Sequence, residues 1–371
     1  MRILHISEKL RFSGAELLIK DLTIRHSRNN LVAVGAFAPT EKSFLNLEKE
    51  MQESGVKLFI PFKTLSRFER LKFLIKTFKE FSPDIVVGHS AVVNAYLRIA
   101  GSLFPKMKKV IVLHSGSGDY EKERRLRYLE YMLQRFTDCV VGVSDWSSNI
   151  YRARFKKPYV VTIYNGVDVK KFQNPIRKKK RDFIRRRIFN AKSEDFVIIQ
   201  IGRIANEKNQ LLTLKAINQL YTIKKRLKLI FAGPIEDNEY FYRVSSFIKK
   251  NNLHENVVIL KSRTDIPDLL KSADLYVMPS IRENFSMALL EALASGIPII
   301  CSDINQFIFL DKYGFPNLWK FDLNNLSFYS KLIEYVFLKK PSFVQRNLDD
   351  FNIENTSNKY LLLFKELLDG S

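Results

Sequence analysis

The sequence predicts an α/β protein built from two doubly wound domains in tandem. Three observations lead to this fold class: the chain length, the alternation of short apolar runs with longer amphipathic ones, and a restart of that alternation halfway along. A chain of 371 residues is long for a single core. Short apolar strands that alternate with amphipathic helices are typical of βα units and of a parallel sheet.

The first half contains six predicted strands separated by predicted helices. The strands are Arg2–Ile6, Leu31–Phe37, Asp84–Val87, Lys109–Leu113, Cys139–Val143 and Val160–Ile163. The clearest helical patterns are Ala15–Arg25, Leu65–Phe81 and Glu121–Phe136. A polar, very basic segment follows, Lys170–Arg187, which we interpret as the connection between the domains together with an exposed face.

The alternation then restarts, which predicts a second domain. Its expected strands, with a helix between each pair, are Phe196–Ile201, Lys228–Ala232, Asn256–Leu260, Asp274–Met278 and Ile297–Cys301. We predict domains at 1–168 and 169–355, with a last helix near 356–371 that packs back on the first. Because open α/β sheets bind ligands at the carboxyl ends of their strands, we expect a binding cleft between the two domains.

Composition restricts the location of the protein. The content of 46% hydrophobic and 27% charged residues is typical of a globular chain. No apolar run approaches the roughly 18 to 20 residues of a spanning helix, and MRILHISEKL predicts a strand instead of a signal peptide. Cys139 and Cys301 lie in apolar stretches and are expected to be buried thiols in a reducing compartment. We therefore expect a cytoplasmic protein.

The formal net charge of +22 indicates an anionic partner. Nucleic acid, an anionic membrane surface and phosphate-bearing small molecules all fit. No helix-turn-helix, zinc-finger or RNP-like pattern is present, so a basic nucleic-acid-binding protein is kept only as the alternative from another class. The segments Phe62–Phe81 and Glu121–Phe136 mix aromatic and basic residues. They suit docking on anionic lipid, although an apolar stripe under a solvated basic face explains them equally.

The densest signal follows the predicted strand Asp274–Met278. Ser286 is a good N-cap residue and Gly296 a good helix terminator, so a helix is predicted between them. The free N–H groups around Phe285, Ser286 and Met287 would then favour an anion such as phosphate.

Two carboxylates flank this helix start. Glu291 lies about 7 Å along the axis, which matches the distance from a diphosphate to the ribose of its nucleotide. Glu283, in the loop before the helix, lies on the side where a sugar would be. Two acids on either side of one helix start suit a nucleotide sugar, although spacing alone allows a surface helix with two incidental acids.

Arg203 and Lys208 follow the predicted strand Phe196–Ile201. Loop cations are usually only solvated, but these two lie at the carboxyl edge of the first strand of the second domain, where a ligand is expected. The sequence contains no Asp-x-Asp motif and no His/Cys cluster for a metal. We therefore expect no metal at this site.

Candidate residues in the first domain lie after two predicted strands. In Ser13-Gly14-Ala15-Glu16 the glycine permits close approach of the backbone to a ligand, and Glu16 suits the positive end of a helix. His114 ends one strand, where a buried or capping histidine is the commoner explanation, and His89 ends the preceding one. Gly116-Ser117-Gly118 lacks the third glycine of a dinucleotide fingerprint, because residue 121 is Glu, which disfavours a dehydrogenase.

These motifs resemble a known family. Glu283 and Glu291 with seven residues between them, followed by ALASGIPII, resemble the E-x7-E signature of the retaining GT-B glycosyltransferases of the GT4 type. Gly202-Arg203 with Glu207-Lys208-Asn209 resembles the family's Arg and Lys loop, and the N-G-V-D turn at 165–168 resembles the end of its first domain. Asn284 and Ser286 stand where many members have glycine.

The resemblance implies a GT-B fold with an acceptor-binding first domain and a donor-binding second domain. It implies that Glu283 and His114 contact the donor sugar, that Glu291 binds the ribose, and that cations neutralise the departing diphosphate. The predicted catalytic residues are Glu283, Arg203, Lys208 and His114, with His89 as a weaker candidate for the histidine role. The predicted donor-binding residues are Glu291, Asn284, Phe285, Ser286, Met287, Gly14, Gly202 and Arg263.

The resemblance further implies a metal-independent enzyme without other cofactors. It would transfer a hexose-type sugar, with retention, from a UDP-sugar in preference to a GDP-sugar to a glycan or lipid-linked acceptor. Bacterial cell-surface polysaccharide synthesis, on the inner face of the membrane, is the expected process, and no nucleic-acid partner is expected. A nucleotide-sugar epimerase or a glycogen-synthase-like polymerase of the same fold remains as an alternative.

Overall fold

The computed structural model describes residues 1–114, 124–155, 158–220 and 223–370. In it the chain divides into two compact units, Met1–Gly166 with Asp349–Ser371, and Val167–Leu348. Each unit is an α/β body with its own parallel sheet. The predicted glycine pair near Ser117 and the start of the predicted helix Glu121–Phe136 lie outside the described residues.

The first unit contains a seven-stranded sheet in the order β3-β2-β1-β4-β5-β6-β7, with every neighbouring pair parallel. Its strands are β1 Arg2–Ser7, β2 Leu31–Ala36, β3 Lys57–Phe59, β4 Ile85–His89, β5 Lys108–Leu113, β6 Cys139–Gly142 and β7 Tyr159–Thr162. Its helices are α1 Gly14–His26, α2 Leu45–Glu53, α3 Arg67–Phe81, α4 Ala91–Gly101, α5 Arg124–Leu133, α6 Asp145–Arg154 and, from the end of the chain, α15 Ile353–Asp369.

Strand β1 is buried on both faces, because helices cover both sides of a parallel sheet. Leu4 and Ile6 pack into one core cluster with Phe78 of α3. Successive side chains of a strand point to opposite faces, so His5 faces the other side. There it lies against His26 of α1, with the ring centroids 5.9 Å apart.

The second unit contains a six-stranded parallel sheet in the order β10-β9-β8-β11-β12-β13. Its strands are β8 Phe196–Ile201, β9 Leu227–Ala232, β10 Val257–Leu260, β11 Leu275–Met278, β12 Ile299–Ser302 and β13 Leu318–Phe321. Its helices are α7 Val169–Gln173, α8 Lys178–Phe183, α9 Gln210–Gln219, α10 Asn238–Lys250, α11 Ile266–Ser272, α12 Met287–Ser295, α13 Phe309–Tyr313 and α14 Leu326–Lys339.

The basic segment Lys170–Arg187 is mostly helical, with a non-helical stretch at 174–177, and belongs to the second unit. Our interpretation of it as a connection with an exposed face is wrong at Arg185, which is buried. Its guanidinium donates to the carbonyl of Ser272 at 2.9 Å, to Asp274 Oδ2 at 3.0 Å and to the carbonyl of Asp195 at 2.5 Å. An arginine with three such acceptors, one of them a carboxylate, can be buried, since its charge and most of its donors are compensated.

Candidate active site

The second sheet changes direction between β8 and β11. The chain runs from β8 outwards to β10 and then returns to the other side of β8 with β11. The loops after β8 and β11 leave these neighbouring strands in opposite directions and so open a crevice at the carboxyl edge. Doubly wound sheets bind their ligands in such a crevice. The loop 202–209 follows β8 and the loop 279–286 follows β11, and Ile281 N–H donates to the carbonyl of Glu207 at 2.8 Å. The two motifs singled out in the sequence are therefore neighbours at this switch point.

An ion pair joins the two loops. Lys208 Nζ donates to the Oε1 of Glu283, and Ser280 Oγ donates to the same oxygen at 2.8 Å. The side chains of Lys208 and Glu283 are only 14% and 9% exposed. Because two largely buried charges are stable only when well paired, each holds the other in one orientation. The site thus presents a fixed cation and a fixed carboxylate within one small volume.

Glycine allows the loop after β8 to pass directly over the end of β9. A Cβ at Gly233, whose φ is +156°, would lie 2.1 Å from the carbonyl oxygen of Gly202. Gln200 of β8 then donates from its amide to the carbonyl of Lys208 at 2.6 Å and holds the far end of the loop. This close backbone packing determines where the Lys208 side chain starts.

Helix α12 begins and ends where the sequence predicts. Ser286 is the N-cap and accepts a hydrogen bond from the backbone N–H of Leu289 at 3.4 Å, and Gly296 ends the helix with a φ of +81°. Phe285 is buried against Phe309, with the ring centroids 5.2 Å apart, and so anchors the loop before the helix. Met287 is the first helical residue. The first turn of α12 therefore places free backbone N–H groups at the switch point, as an anion site requires.

Arg203 has a different partner from Lys208. Its guanidinium donates to Glu236, an acid that the sequence analysis did not identify, and both side chains are nearly half exposed. The structure therefore brings Lys208 and Glu283 into direct contact and gives Arg203 a separate partner at the surface.

Arg263 lies in the loop after β10, on the same edge of the sheet. It makes a two-point contact with Asp265, from Nε to Oδ1 at 2.8 Å and from a terminal nitrogen to Oδ2 at 2.6 Å. This guanidinium lowers the pKa of the Asp265 carboxyl. In the sheet one strand, β9, lies between β10 and β8.

Tyr276 is a residue of this region that the sequence analysis missed. It is fully buried in β11, and its hydroxyl has no hydrogen-bond partner among the described residues. Burial raises the pKa of the phenol well above its ordinary value, and the charges of Glu283 and Glu291 raise it further. Both predicted acids therefore lie within electrostatic reach of one ring. The only signal in the sequence is a single hydroxyl in the otherwise apolar strand Leu275–Met278.

In the first unit, Gly14 begins helix α1 after the loop that follows β1. Glu16, in the first turn, is buried and accepts hydrogen bonds from the hydroxyl of Ser13 and, at 3.1 Å, from that of Ser7. The carboxylate is thus held beneath the start of the helix, where the helix dipole favours a negative charge.

His114 follows β5 directly and is partly exposed. Its Nε2 lies 2.8 Å from Nδ1 of His89, whose own Nε2 lies 2.9 Å from Nδ1 of His5. Burial lowers the pKa of His114 to about 4. The two histidines that the sequence analysis selected are therefore in contact, and His5 is a third that it did not select.

Both cysteines are buried free thiols, as predicted, and burial raises the pKa of each to about 12. In the part of the chain that the structure describes, no group of three or more His, Cys, Asp or Glu side chains is arranged to hold a metal ion.

Two family descriptions match this chain. "Glycosyl transferases group 1" matches residues 181–308, and "Glycosyltransferase Family 4" matches residues 12–171. The chain belongs to the group 1 glycosyltransferases. The first match contains both loops of the switch point and helix α12, and the second contains the predicted residues of the first unit.

Curated relatives of this glycosyltransferase match most of its length. It is 27% identical over 342 residues to the Escherichia coli UDP-Gal:alpha-D-GlcNAc-diphosphoundecaprenol alpha-1,3-galactosyltransferase, with 86% of each chain covered. It is 23% identical over 376 residues to the Staphylococcus aureus capsular polysaccharide biosynthesis glycosyltransferase CapH, with 99% of this chain and 100% of the relative covered. The predicted enzyme class is confirmed at the level of a glycosyltransferase.

Solved structures share its fold. Anabaena HepE in complex with UDP-glucose superposes with a TM-score of 0.85 at 18% identity, covering 99% of this chain and 100% of HepE. WaaG, a glycosyltransferase involved in lipopolysaccharide biosynthesis, gives a TM-score of 0.68 at 16% identity, covering 99% and 98%. The predicted GT-B α/β fold is confirmed.

Proposed function

We propose that this glycosyltransferase transfers a hexose-type sugar from a UDP-sugar to a glycan or lipid-linked acceptor during assembly of a bacterial cell-surface polysaccharide. The observation that carries the proposal is the buried Lys208–Glu283 pair at the switch point between β8 and β11, beside the start of α12. A helix start and a fixed ammonium suit a diphosphate. A carboxylate held in one orientation suits the hydroxyls of a sugar.

Two relatives support the choice of donor and acceptor. HepE binds UDP-glucose in its crystals, and the Escherichia coli relative is named for a UDP-galactose donor and a diphosphoundecaprenol-linked acceptor. Glu291 lies on the helix that Ser286 caps, so a ribose beyond the diphosphate would meet its carboxylate. The ribose is common to UDP and GDP, so it is the two relatives that favour a UDP-sugar over a GDP-sugar.

We further propose a front-face displacement that retains the anomeric configuration. The bond between the anomeric carbon and the diphosphate oxygen breaks, and a bond to the acceptor oxygen forms on the same face. The departing diphosphate oxygen takes the proton of the acceptor hydroxyl. Lys208 and Arg203 stabilise the charge that develops on the diphosphate, and Glu283 orients the sugar. Since fixed cations supply this stabilisation, the proposal includes no metal.

Calorimetric titration of the full chain with UDP, GDP and ADP, with EDTA throughout, tests the donor. We expect UDP to bind most tightly, and its affinity to fall in Glu291→Ala with the melting temperature unchanged. A matched control is Glu334→Ala, an acid on helix α14 of the same unit. If none of the three nucleotides binds, the donor assignment is wrong.

Product analysis tests the reaction. With a UDP-sugar and a lipid-linked or glycan acceptor, in EDTA, we expect one new glycosidic bond and a proton NMR spectrum with the anomeric configuration of the donor. An inverted product refutes front-face displacement. A free epimerised nucleotide sugar, or a long homopolymer, would identify the epimerase or the polymerase instead.

We propose that helix α3 docks this cytoplasmic enzyme on an anionic membrane surface. Lys72, Lys76 and Lys79 are exposed on one side of the helix, and the aromatic rings of Phe68, in its first turn, and of Phe62, in the segment before it, are exposed as well. Basic and aromatic side chains on one surface favour binding to anionic headgroups. No helix in the described ranges is long and apolar enough to cross a bilayer.

Flotation with phosphatidylglycerol vesicles and with phosphatidylcholine vesicles tests this surface. We expect salt-sensitive binding to the first only, lost when Lys72, Lys76 and Lys79 are changed to Gln. The control changes Lys249 and Lys250, exposed on α10, to Gln. Equal binding of both variants removes the proposed role of α3.

A further inference from the structure

Four histidines form a file on one side of the first sheet. His5 lies in β1, His89 ends the adjacent β4, and His114 follows β5, the next strand. In the β1–β4 register Ser7 lies opposite His89, so His89 lies two residues closer to the carboxyl edge of the sheet than His5 does. The ring centroids of His5 and His89 are 5.2 Å apart, and those of His89 and His114 are 5.1 Å apart. Both pairs are joined by short nitrogen–nitrogen contacts, of 2.9 Å and 2.8 Å.

His26, at the end of α1, gives the file its inner end. Its Nε2 lies 3.3 Å from the backbone carbonyl of Ser357 on α15. A carbonyl can only accept, so this nitrogen carries the proton of the neutral ring and Nδ1 carries the lone pair. The ring centroids of His26 and His5 are 5.9 Å apart, slightly more than in the two bonded pairs.

Two buried ring nitrogens have no hydrogen-bond partner among the described residues, and they belong to these neighbouring rings. They are Nε2 of His5 and Nδ1 of His26. If His5 donated to His89 from Nδ1, both unpartnered nitrogens would be lone pairs, and neither would have a donor. If His5 instead carries its proton on Nε2, it has a donor for the lone pair of His26. Since buried polar groups are almost always hydrogen-bonded, the second arrangement is favoured.

We propose that His114, His89, His5 and His26 form one directional relay in which each ring donates from Nε2 to Nδ1 of the next, and which ends at the carbonyl of Ser357. The relay holds His114 with a lone pair on Nδ1. That nitrogen accepts a hydrogen bond from a hydroxyl and disfavours a phosphate oxygen, which has no proton to give. His89, His5 and His26 are positioning residues for this specificity.

The relay requires neutral rings at neutral pH. Burial lowers the pKa of His26 and of His114 to about 4, and it lowers those of His5 and His89 well below the ordinary value of 6.5. Each ring therefore has one proton to donate and one lone pair to accept, as a one-way file needs.

Nitrogen NMR of the full chain with ¹⁵N-labelled histidine tests the relay without any ligand. We expect all four rings to carry the proton on Nε2. In His26→Leu the relay loses its acceptor, so the protons of His5, His89 and His114 are expected to move to Nδ1. In His26→Gln they are expected to stay, because an amide both accepts and donates. A proton on Nδ1 of His114 in the unsubstituted chain overturns the proposal, and this measurement stands even if His26→Leu does not fold.

The ligand side of the inference rests on the proposed function, in which the hydroxyl belongs to a sugar. There His26→Leu is expected to lower turnover about tenfold, the loss of one hydrogen bond, with the affinity for free UDP unchanged. His26→Gln should behave as the unsubstituted enzyme. If turnover is the same in both variants, the relay has no role in transfer. A chain that transfers no sugar at all refutes the proposed function and leaves the NMR result intact.

Discussion

The first six strands of each sheet follow the same order, yet the switch points of the two units differ in chemistry. In the first sheet β1 lies between β2 and β4, and in the second β8 lies between β9 and β11. At the second switch point the ion pair of Lys208 and Glu283 joins the two loops. At the first, the neutral rings of His5 and His89 are in contact. Topology supplies the position of a site in both units, and the side chains placed there decide its ligand.

The difference follows from depth. Lys208 and Glu283 are on loops beyond the strand ends and retain some exposure. His5 is fully buried within the sheet, where a charged ring would lose its hydration. The deeper position therefore selects groups that are polar but uncharged at neutral pH, and the shallower one tolerates a charged pair.

Lowering the pH should destabilise the first unit more than the second, and this is the largest effect on stability that we expect. The folded-state pKa of His26 is about 4 against 6.5 in the unfolded chain, so the folded state binds fewer protons. The stabilisation is present above pH 6.5 and is lost as the pH falls towards 4. At pH 5 His26 alone costs about 2 kcal/mol, and the other three rings of the file act in the same direction.

The two tryptophans allow each unit to be followed separately. Trp146 belongs to the first unit and Trp319 to the second. In Trp319→Phe the remaining Trp146 reports on the first unit, and in Trp146→Phe the remaining Trp319 reports on the second. When denaturant unfolding is followed by fluorescence at pH 7 and at pH 5, the denaturant midpoint of the first unit should fall more at pH 5 than that of the second. The control is His254→Gln, at an exposed position of the second unit. Equal shifts in both units would contradict the comparison.

Lys208→Ala should disable the second switch point alone. It removes the cation that we propose to stabilise the departing diphosphate, and it leaves the Glu283 carboxylate largely buried without its lysine partner. We expect turnover to fall roughly 10²- to 10³-fold. Steady-state kinetics measures this, with circular dichroism to verify folding. Lys215→Ala, an exposed lysine on α9, is the matched control. Near-normal turnover in Lys208→Ala would show that the ion pair is only structural.

Gly233→Ala should damage the framework of the same site. The new methyl group would lie 2.1 Å from the Gly202 carbonyl oxygen, so the loop after β8 and the loop after β9 must move apart. We expect a loss of about 2 kcal/mol in the free energy of unfolding. Gly314→Ala has a similarly unusual φ of +53° but open space around it, and should cost only about 1 kcal/mol. Equal losses would show that the backbone conformation, and not the close contact, is responsible.

Glu236→Ala should have the smallest effect and sharpens the contrast between exposed and buried ion pairs. Arg203 and Glu236 are nearly half exposed, so water screens their attraction and the loss of stability should be less than about 1 kcal/mol. The affinity for UDP should stay constant or rise slightly, because the guanidinium is released. Calorimetry measures both quantities. A marked loss of UDP affinity would show that Glu236 orients Arg203 for the ligand.

Much of the fold could be predicted because its strands are continuous apolar runs. Strand β8 has the predicted bounds Phe196–Ile201, and α12 has the predicted cap and terminator. The edge strands Lys57–Phe59 and Leu318–Phe321 were not predicted, because they are short and carry a lysine on a half-buried surface. Their neighbours in the sheet, and not their own pattern, make them strands.

The candidate site was predictable where its residues are close in the sequence. Glu283 and Glu291 share one loop and helix, so spacing alone places them together. The contact of Lys208 with Glu283 crosses 75 positions, and that of His5 with His89 crosses 84. Such contacts depend on strand order and register, which a sequence pattern does not specify. For the same reason the histidine file could not be found before the sheet was known.

The position of α15 affects when the first unit can complete its folding during synthesis. Arg25 donates to Glu354 at 2.9 Å and Thr356 donates to the carbonyl of Tyr164 at 3.0 Å, so this helix completes a unit that begins with β1. Every residue of Val167–Leu348 is synthesised before it. The first unit therefore begins to form before the second, yet it stays incompletely packed until α15 leaves the ribosome.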